Sequence, residues 1–321
     1  MALKSNLDLA FDCDNFPYYS DSPEIYLAKL AEYYHFKLEG CDATLGYMPA
    51  RIATQMPINK HWSRDDERKT LTFQPRDDEG APVVDFESRN WILADFLYEV
   101  REKKIFQVLN GWRSERFPIY GPQKETLLSM ERSATPLFGV VTYGVHMTGY
   151  VETDQGLKIW APRRALNKQT YPGMMDNTVA GGLAIGEKPF ECLIREAEEE
   201  ASLPADLVRT AQACGAVTYF LVRDPKAGGE TDLCQPEVEY VYDLKMPPEI
   251  TPQPSDNEAI DFQLLTIEEV KDAMAAGKFK PNCAHVLLDF FMRHGILTPE
   301  NEPDYVEILA KVHRRLEFPT I

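Results

Sequence analysis

The sequence has little positive charge for its length, because 34 Lys and Arg residues stand against 51 Asp and Glu, a formal net charge of −17 over 321 residues. Proteins that bind duplex DNA or RNA use a basic surface to neutralise the phosphates. We therefore expect no nucleic-acid duplex as a partner. A small phosphate-bearing substrate would have to meet local Lys, Arg or metal charge instead of a general positive field.

The sequence also lacks paired cysteines. Its six cysteines are scattered without any C-x-x-C pair: Cys13, Cys41, Cys192, Cys214, Cys234 and Cys283. This pattern argues against a zinc knuckle and against a dense disulfide framework. We interpret these residues as buried or incidental thiols in a reducing compartment.

Long apolar runs are absent. The sequence contains no 18 consecutive apolar residues, and its most apolar stretch, residues 137–151, is interrupted by three glycines and by His146. The N-terminal residues show no basic segment followed by an apolar core. We therefore expect neither a membrane-spanning helix nor a signal peptide, and a cytoplasmic protein.

Hydrophobic patterning predicts two domains, residues 1–132 and residues 133–321. In the first domain the apolar spacing predicts helices over residues 23–36 and 88–104 and a strand over residues 45–55. No motif in this domain indicates chemistry, so its role stays unassigned.

The second domain begins with two predicted antiparallel strands, residues 138–151 and 156–161, joined by a short turn. Further strands are predicted at residues 177–181, 215–222, 237–244 and 259–264, and helices at 189–201, 267–276, 282–294 and 303–316. These elements mix strands and helices without strict alternation. They predict an α+β fold, with a sheet sandwiched between helices.

Three glutamates share one face of the helix predicted at residues 189–201. Glu196, Glu199 and Glu200 stand at positions i, i+3 and i+4. Converging carboxylates repel one another unless a divalent cation neutralises them, and ligation by oxygen alone suits Mg²⁺ or Mn²⁺. An acidic run is more often a solvated face, but Gly181, Glu187 and Arg195 stand at fixed spacings that a solvated face does not require.

The spacing from Gly181 onward resembles the signature of the Nudix hydrolase family. That signature runs Gly, five residues, Glu, seven residues, Arg-Glu, an aliphatic residue, one residue, Glu-Glu, one residue, Gly, and an aliphatic residue. Every acidic and basic position is matched. Two positions depart: the small Ala197 stands at the first aliphatic position, and Ser202 replaces the Gly that allows the turn leaving the helix. The resemblance implies a Nudix α/β/α sandwich with a mixed sheet, preceded by a smaller α+β domain.

The resemblance also implies roles for the residues of the signature. The metal ligands would be Glu196, Glu199, Glu200 and the backbone carbonyl of Gly181. Glu187 and Arg195 would orient these carboxylates.

Hydrolysis needs a carboxylate that accepts a proton from the attacking water. Glu200 is one candidate for this base, and Glu258, in the predicted loop 255–258, is another, because family members bring such a group from a later loop. The expected catalytic set is Glu200, Glu199 and Glu258. A turn carboxylate in water is an equally good interpretation of Glu258.

Three cations precede the signature: Arg163, Arg164 and Lys168. We expect them to neutralise the terminal phosphate, which a strongly acidic protein must arrange locally. A solvent-facing basic turn explains them equally well. Replacement of Lys168 or Arg164 by Ala distinguishes the two interpretations, because only the first predicts a higher Michaelis constant.

Residues 160–164 and 168–182 resemble one branch of the family, the thiamine pyrophosphokinase-related Nudix proteins. Residues 131–132, 138–139 and 143–146 are similar to the end of the N-terminal domain that accompanies this branch. The sequence ends at Ile321, so we expect no kinase domain. The resemblance implies hydrolysis of thiamine diphosphate, or of its damaged oxo and oxy analogues, to the monophosphate.

Three alternatives remain at this stage. The substrate is a nucleoside diphosphate derivative, such as ADP-ribose or an oxidised nucleoside triphosphate, or the domain senses a nucleotide without turnover. Isomerisation of isopentenyl diphosphate is a third, weaker alternative, because it needs a Cys and Glu pair with His ligation, and the nearest histidine, His146, lies well upstream. A homodimer stays open.

Overall fold

A computed structural model describes residues 3–168, 170–255 and 258–321. The chain forms two compact units, each built from separate stretches of sequence. The signature unit comprises Met1–Asp14, Tyr143–Tyr219 and Glu237–Arg315. The N-terminal unit comprises Asn15–Thr142, Phe220–Pro236 and Leu316–Ile321.

The elements are numbered in chain order. The helices are α1 (Asn6–Cys13), α2 (Pro23–Leu30), α3 (Ala50–Gln55), α4 (Phe86–Glu102), α5 (Thr135–Phe138), α6 (Pro189–Ala201), α7 (Ala205–Val208), α8 (Ile267–Ala275), α9 (Pro281–Arg293) and α10 (Tyr305–Val312). The strands are β1 (Tyr33–Leu38), β2 (Gly46–Pro49), β3 (Trp62–Asp65), β4 (Thr70–Phe73), β5 (Arg116–Tyr120), β6 (Thr126–Glu131), β7 (Thr142–Thr153), β8 (Gly156–Arg164), β9 (Val179–Gly182), β10 (Gln212–Val222), β11 (Cys234–Lys245) and β12 (Ala259–Thr266).

The N-terminal unit contains a four-stranded sheet in the order β2-β1-β4-β3 and a separate hairpin of β5 and β6. In the sheet, β1 runs antiparallel to β2 and parallel to β4. Helix α4 packs on β6 and buries Leu93, Phe96, Leu97 and Val100. The core of this unit is therefore aromatic and aliphatic, and its mixed sheet matches the predicted α+β class.

Two predictions in this unit are wrong in part. The predicted helix over residues 23–36 ends at Leu30, and its last residues belong to β1, where His35 lies opposite Tyr47 of β2 and Thr70 of β4. The predicted strand over residues 45–55 stops at Pro49, and α3 follows. In the first case sheet pairing with β4 overrides the local helical pattern. In the second case Pro49, whose ring fixes φ at about −65°, ends the strand and precedes the first turn of α3.

The signature unit is built on a sheet in the order β10-β11-β7-β8-β12, with β9 paired to β7 beside this path. Strand β7 is antiparallel to both β8 and β9, and β12 is antiparallel to β8. Helix α6 packs on β9, and α1 packs on α9 and α10. This arrangement confirms the predicted α+β class, with helices packed on a mixed set of strands. Within the described residues, no helix is both long and apolar enough to cross a bilayer.

Candidate active site

Helix α6 carries most of the predicted site and has the predicted bounds, Pro189–Ala201. Proline fits the first turn of a helix, because its missing N–H would have no intrahelical partner there. The helix buries Cys192, Leu193, Ala197 and Ala201, which recur at helical spacing and attach one face to the unit. The glutamates are therefore carried on the remaining surface of the helix.

Ser202 ends α6 in the left-handed conformation, with φ 51° and ψ 32°. Its N–H donates to the carbonyl of Glu198 at 3.2 Å, and the N–H of Leu203 donates to the carbonyl of Ala197 at 3.1 Å. This closure satisfies carbonyls that the helix end leaves open. The chain thus makes with serine the turn for which glycine is the usual residue, and the departure from the signature does not alter the path of the backbone.

Arg195 holds three carboxylates of the site. Its Nε and Nη2 donate to the two oxygens of Glu187 at 2.8 and 3.0 Å. Its Nη1 donates to Glu196 at 2.9 Å and to Glu199 at 3.0 Å. Burial raises the pKa of Glu187, but the bonds from Arg195 outweigh burial and hold this pKa below its ordinary value. Arg195 therefore holds Glu187, Glu196 and Glu199 together by hydrogen bonds.

Glu200 lies apart from this ion-pair cluster and faces strand β9. Its Oε2 accepts a hydrogen bond from the backbone N–H of Ala180 at 3.0 Å. Burial, followed by the negative charges of Glu196, Asp176 and Glu258, raises the pKa of Glu200 well above its ordinary value, and the Ala180 N–H opposes this only in part. Burial and the neighbouring carboxylates thus make the charged form of Glu200 less favourable than that of an isolated glutamate.

Gly181 permits the close approach of α6 to β9. A Cβ at this position would overlap the side chain of Glu196, whose side chain is 12% exposed. Only glycine leaves this space free. Any larger residue at position 181 would therefore displace the carboxylate of Glu196.

A pocket opens beside Glu200. Its polar lining includes Arg164, Asp176, Asn177, Thr178, Glu200 and Glu258, and its apolar lining includes Pro162 and Phe262. Glu200 and Glu258, both predicted as catalytic, therefore line the same pocket. Of the predicted loop 255–258, Asp256 and Asn257 lie outside the described residues.

Each of the three cations predicted to bind phosphate has a carboxylate partner: Arg163 with Asp261 at 2.9 Å, Arg164 with Asp176 at 2.5 Å, and Lys168 with Glu258 at 2.6 Å. The pairs of Arg164 and Lys168 involve residues of the pocket, whereas the Arg163 pair links the neighbouring strands β8 and β12 at the exposed surface. Of the three cations, Arg164 thus lines the pocket itself, and Lys168 is bound to Glu258, which lines it.

Two family profiles match the chain in succession. Residues 35–142 match a domain of unknown function, DUF4743, and residues 143–284, which contain the site, match the NUDIX domain. The chain contains a NUDIX domain.

Relatives of the chain extend over both domains. The uncharacterized protein YJR142W of Saccharomyces cerevisiae is 37% identical over 264 residues, which cover 80% of this chain and 75% of that protein. Nudix hydrolase 20, chloroplastic, of Arabidopsis thaliana is 35% identical over 231 residues, which cover 71% of this chain and 59% of that protein. The chain thus spans less than two thirds of the length of the Arabidopsis relative.

Among solved structures, DR0079 from Deinococcus radiodurans is similar to 51% of this chain and 91% of its own, with a TM-score of 0.39 and 24% identity.

The candidate metal ligands of the Nudix signature are all oxygen donors: the carboxylates of Glu196, Glu199 and Glu200 and the backbone carbonyl of Gly181. Within the described part of the chain, no three His, Cys, Asp or Glu residues stand together as a preformed metal site. Glu196 and Glu200 both meet β9, whereas Glu199 is exposed and bound to Arg195. The carboxylate oxygens near Glu200 nevertheless suit Mg²⁺ or Mn²⁺, which prefer hard oxygen ligands. The residues present therefore fit such an ion.

His146 is a residue near the Nudix signature that sequence reasoning missed. It lies directly opposite Ala180 in the β7–β9 pair, although it is well upstream in sequence. Its Nδ1 is 2.6 Å from Oδ1 of Asn177, and its Nε2 is 3.5 Å from Oε1 of Glu239. Burial lowers the pKa of His146, but the Glu239 carboxylate reverses this and raises it well above its ordinary value. The alternation of β7 alone does not reveal this proximity, because it depends on which strands pair.

Proposed function

We propose that this chain is a Mg²⁺-dependent pyrophosphohydrolase that cleaves thiamine diphosphate, or its oxo and oxy analogues, to the monophosphate and phosphate. The observation that carries the hydrolase part is the set of three carboxylates, Asp176, Glu200 and Glu258, that line one pocket beside α6. The thiamine part rests on the resemblance of residues 160–164 and 168–182 to the thiamine pyrophosphokinase-related branch.

The expected metal ligands are Glu196, Glu199, Glu200 and the carbonyl of Gly181. A divalent ion held there would polarise the diphosphate and lower the pKa of the attacking water. Arg195 supports this role, because its bonds to Glu196 and Glu199 hold both carboxylates on one side of α6.

The proton acceptor in this proposal is Glu200 or Glu258. The raised pKa of Glu200 makes its carboxylate a stronger proton acceptor than an ordinary glutamate. Glu258 is paired with Lys168, so its use as a base requires that this ion pair opens. In that step Lys168 would become available to the terminal phosphate of the substrate.

Substrate phosphate would meet Arg163, Arg164 and Lys168. For Lys168→Ala we expect the Michaelis constant to rise by about tenfold, since a hydrogen bond to a charged group contributes about 1.5–3 kcal/mol. Steady-state kinetics measures this change. The matched control is Lys245→Ala, because Lys245 is an exposed lysine of the same unit paired with Glu152. Equal Michaelis constants for wild type and Lys168→Ala would contradict the assignment.

Nucleoside diphosphate derivatives, such as ADP-ribose or an oxidised nucleoside triphosphate, are the alternative substrates. The apolar side chains of Pro162 and Phe262 beside the polar Asn177 suit a flat heterocycle with polar edges, and a nucleobase meets that description as well as thiamine does. A module that binds a nucleotide without turnover is the second alternative.

The deciding experiment measures phosphate and monophosphate release from thiamine diphosphate, oxothiamine diphosphate, oxythiamine diphosphate, ADP-ribose and 8-oxo-dGTP in Mg²⁺. Wild type is compared with Glu200→Gln and with Glu198→Gln, a control glutamate of the same helix that is exposed. We expect thiamine analogues to be turned over, a loss of at least about 100-fold in Glu200→Gln, and no loss in Glu198→Gln.

Faster hydrolysis of a nucleotide would support the hydrolase assignment but change the assigned substrate. If no compound of the panel is hydrolysed although ligands still bind, a binding module without turnover would be favoured. The expected partner is a small diphosphate, not a nucleic-acid duplex, and a cytoplasmic location belongs to the same proposal. A homodimer stays open, and sedimentation or light scattering decides it.

A further inference from the structure

A buried polar cluster lies behind strands β7 and β9 of the signature unit. It contains His146 (3% exposed), Asn177 (3%), Tyr219 (0%) and Glu239 (5%). Burial of this many polar groups is costly unless they are arranged to bond one another. None of them belongs to the Nudix signature, so their presence here needs its own explanation.

The cluster is attached to the segment that positions the signature carboxylates. His146 bonds Asn177, which lies two residues before β9. In the strand pair, His146 lies opposite Ala180 and Val145 lies opposite Gly181. The backbone N–H of Ala180 donates a hydrogen bond to Glu200. The side chain of Glu196 occupies the space where a Cβ at Gly181 would lie. A displacement of residues 177–182 would therefore move both carboxylates.

Glu239 lies on β11, which, like β9, is a neighbour of β7 in the sheet. Its Oε1 accepts from the hydroxyl of Tyr219 at 3.0 Å and lies 3.5 Å from His146. Its Oε2 is buried without a hydrogen-bond partner in the part of the chain that the structure describes. A Cβ at Gly144 would overlap this oxygen and would lie 2.9 Å from the carbonyl oxygen of Gly181. Glu239 thus fills the space next to the carbonyl expected to bind the cation.

We propose that His146 and Glu239 are positioning residues, which hold residues 177–182 so that the Gly181 carbonyl, Glu196 and Glu200 face one cation. This inference rests on the proposed function. Groups that orient metal ligands from behind typically change metal affinity by about 10- to 100-fold when they are removed. The expected contribution of His146 and Glu239 is to position the ligands, because neither residue is among those that line the pocket beside Glu200.

The test measures Mn²⁺ affinity directly, by calorimetry or by electron paramagnetic resonance of free Mn²⁺, on the full chain. We expect Glu239→Gln and His146→Asn to raise the dissociation constant about 10- to 100-fold. The matched control is Asp243→Asn. Asp243 is another buried carboxylate of β11, paired with His294 at 2.7 Å and with Arg293, and its contacts lie away from β9. Asp243→Asn should lower the melting temperature but leave Mn²⁺ affinity unchanged.

The inference is overturned when Glu239→Gln and His146→Asn bind Mn²⁺ as wild type does, or when Asp243→Asn weakens binding equally. If the first two variants do not fold, Tyr219→Phe decides, because it removes only the hydroxyl that bonds Glu239 and Glu237. Weaker Mn²⁺ binding then supports the inference and unchanged binding overturns it. Failure of the proposed function looks different, because wild type itself would then bind no Mn²⁺ and hydrolyse no diphosphate.

Discussion

At the scale of single residues, Ser202 shows how this chain tolerates a departure from its family's signature. A residue with a Cβ in the left-handed region costs roughly 1–2 kcal/mol relative to glycine. The closing hydrogen bonds of α6 nevertheless form at Ser202, and its side chain is exposed. The strain at Ser202 therefore lowers the stability of the fold but leaves the end of α6, and with it the glutamates, in place.

We predict that Ser202→Gly raises the free energy of unfolding by about 1 kcal/mol, because glycine adopts this conformation without strain. Urea denaturation followed by circular dichroism measures the change. The control is Ser202→Ala, which keeps a Cβ in the same conformation and should give no gain. A gain of equal size in both variants would show that the hydroxyl, and not the backbone, is responsible.

At the scale of elements, α9 is almost entirely buried and carries a histidine in an apolar setting. His285 is 0% exposed, and its ring lies edge-on to Tyr219 with 5.6 Å between centroids. Burial lowers the pKa of His285 to about 3, whereas an unfolded histidine titrates near 6.5. Below pH 6.5 His285 is therefore protonated in the unfolded state but stays neutral in the folded state.

From this difference we predict that the protein loses stability as the pH falls from about 6.5 towards 3, by up to about 1.4 kcal/mol per pH unit from His285 alone. The stability contribution is complete above pH 6.5. In His285→Gln the loss between pH 7 and pH 5.5 should be smaller, as measured by urea denaturation at both values. Parallel pH profiles for wild type and variant would exclude His285 as the cause.

Helices were the elements that local patterning predicted best. The bounds of α6 follow from Pro189 and from the recurring buried positions. Helix α8 starts at the predicted residue 267, directly after the capping box that Thr266 and Glu269 form. Strand β1 escaped prediction because residues such as His35 follow a helical pattern locally and enter the sheet only through pairing with Thr70. Local propensity cannot report a partner that is distant in sequence.

The same reason limits what the sequence reveals of the site. The contacts among Glu187, Arg195 and Glu196 lie within one short segment, so the resemblance of that segment to the Nudix signature could single these residues out from the sequence. His146 and Glu239 reach the site through neighbouring strands. Their proximity depends on strand order, which no local spacing encodes.

At the scale of the whole molecule, a buried ion cluster joins the two ends of the signature unit. Asp14, 0% exposed, pairs with Arg314 at 3.1 Å and with Lys311 at 3.8 Å. Both cations are also buried. Removal of one member of such a cluster leaves a charge without compensation, which is far more costly than loss of a surface pair.

We therefore predict that Asp14→Asn lowers the free energy of unfolding by about 3–5 kcal/mol. Chemical denaturation measures the loss. Glu268→Gln is the control, because Glu268 belongs to an exposed pair with Lys271 in the same unit and should cost less than about 1 kcal/mol. Similar losses in the two variants would show that burial of the cluster does not set its contribution.

The distance along the chain between Asp14 and Arg314 also bears on the rate of folding. The two residues are 300 positions apart, and closing so long a loop carries an entropic cost before the contact returns any energy. We expect this ion pair to form after the transition state. Its removal should then leave the refolding rate nearly unchanged and speed unfolding, so that the cluster acts chiefly on the lifetime of the folded protein.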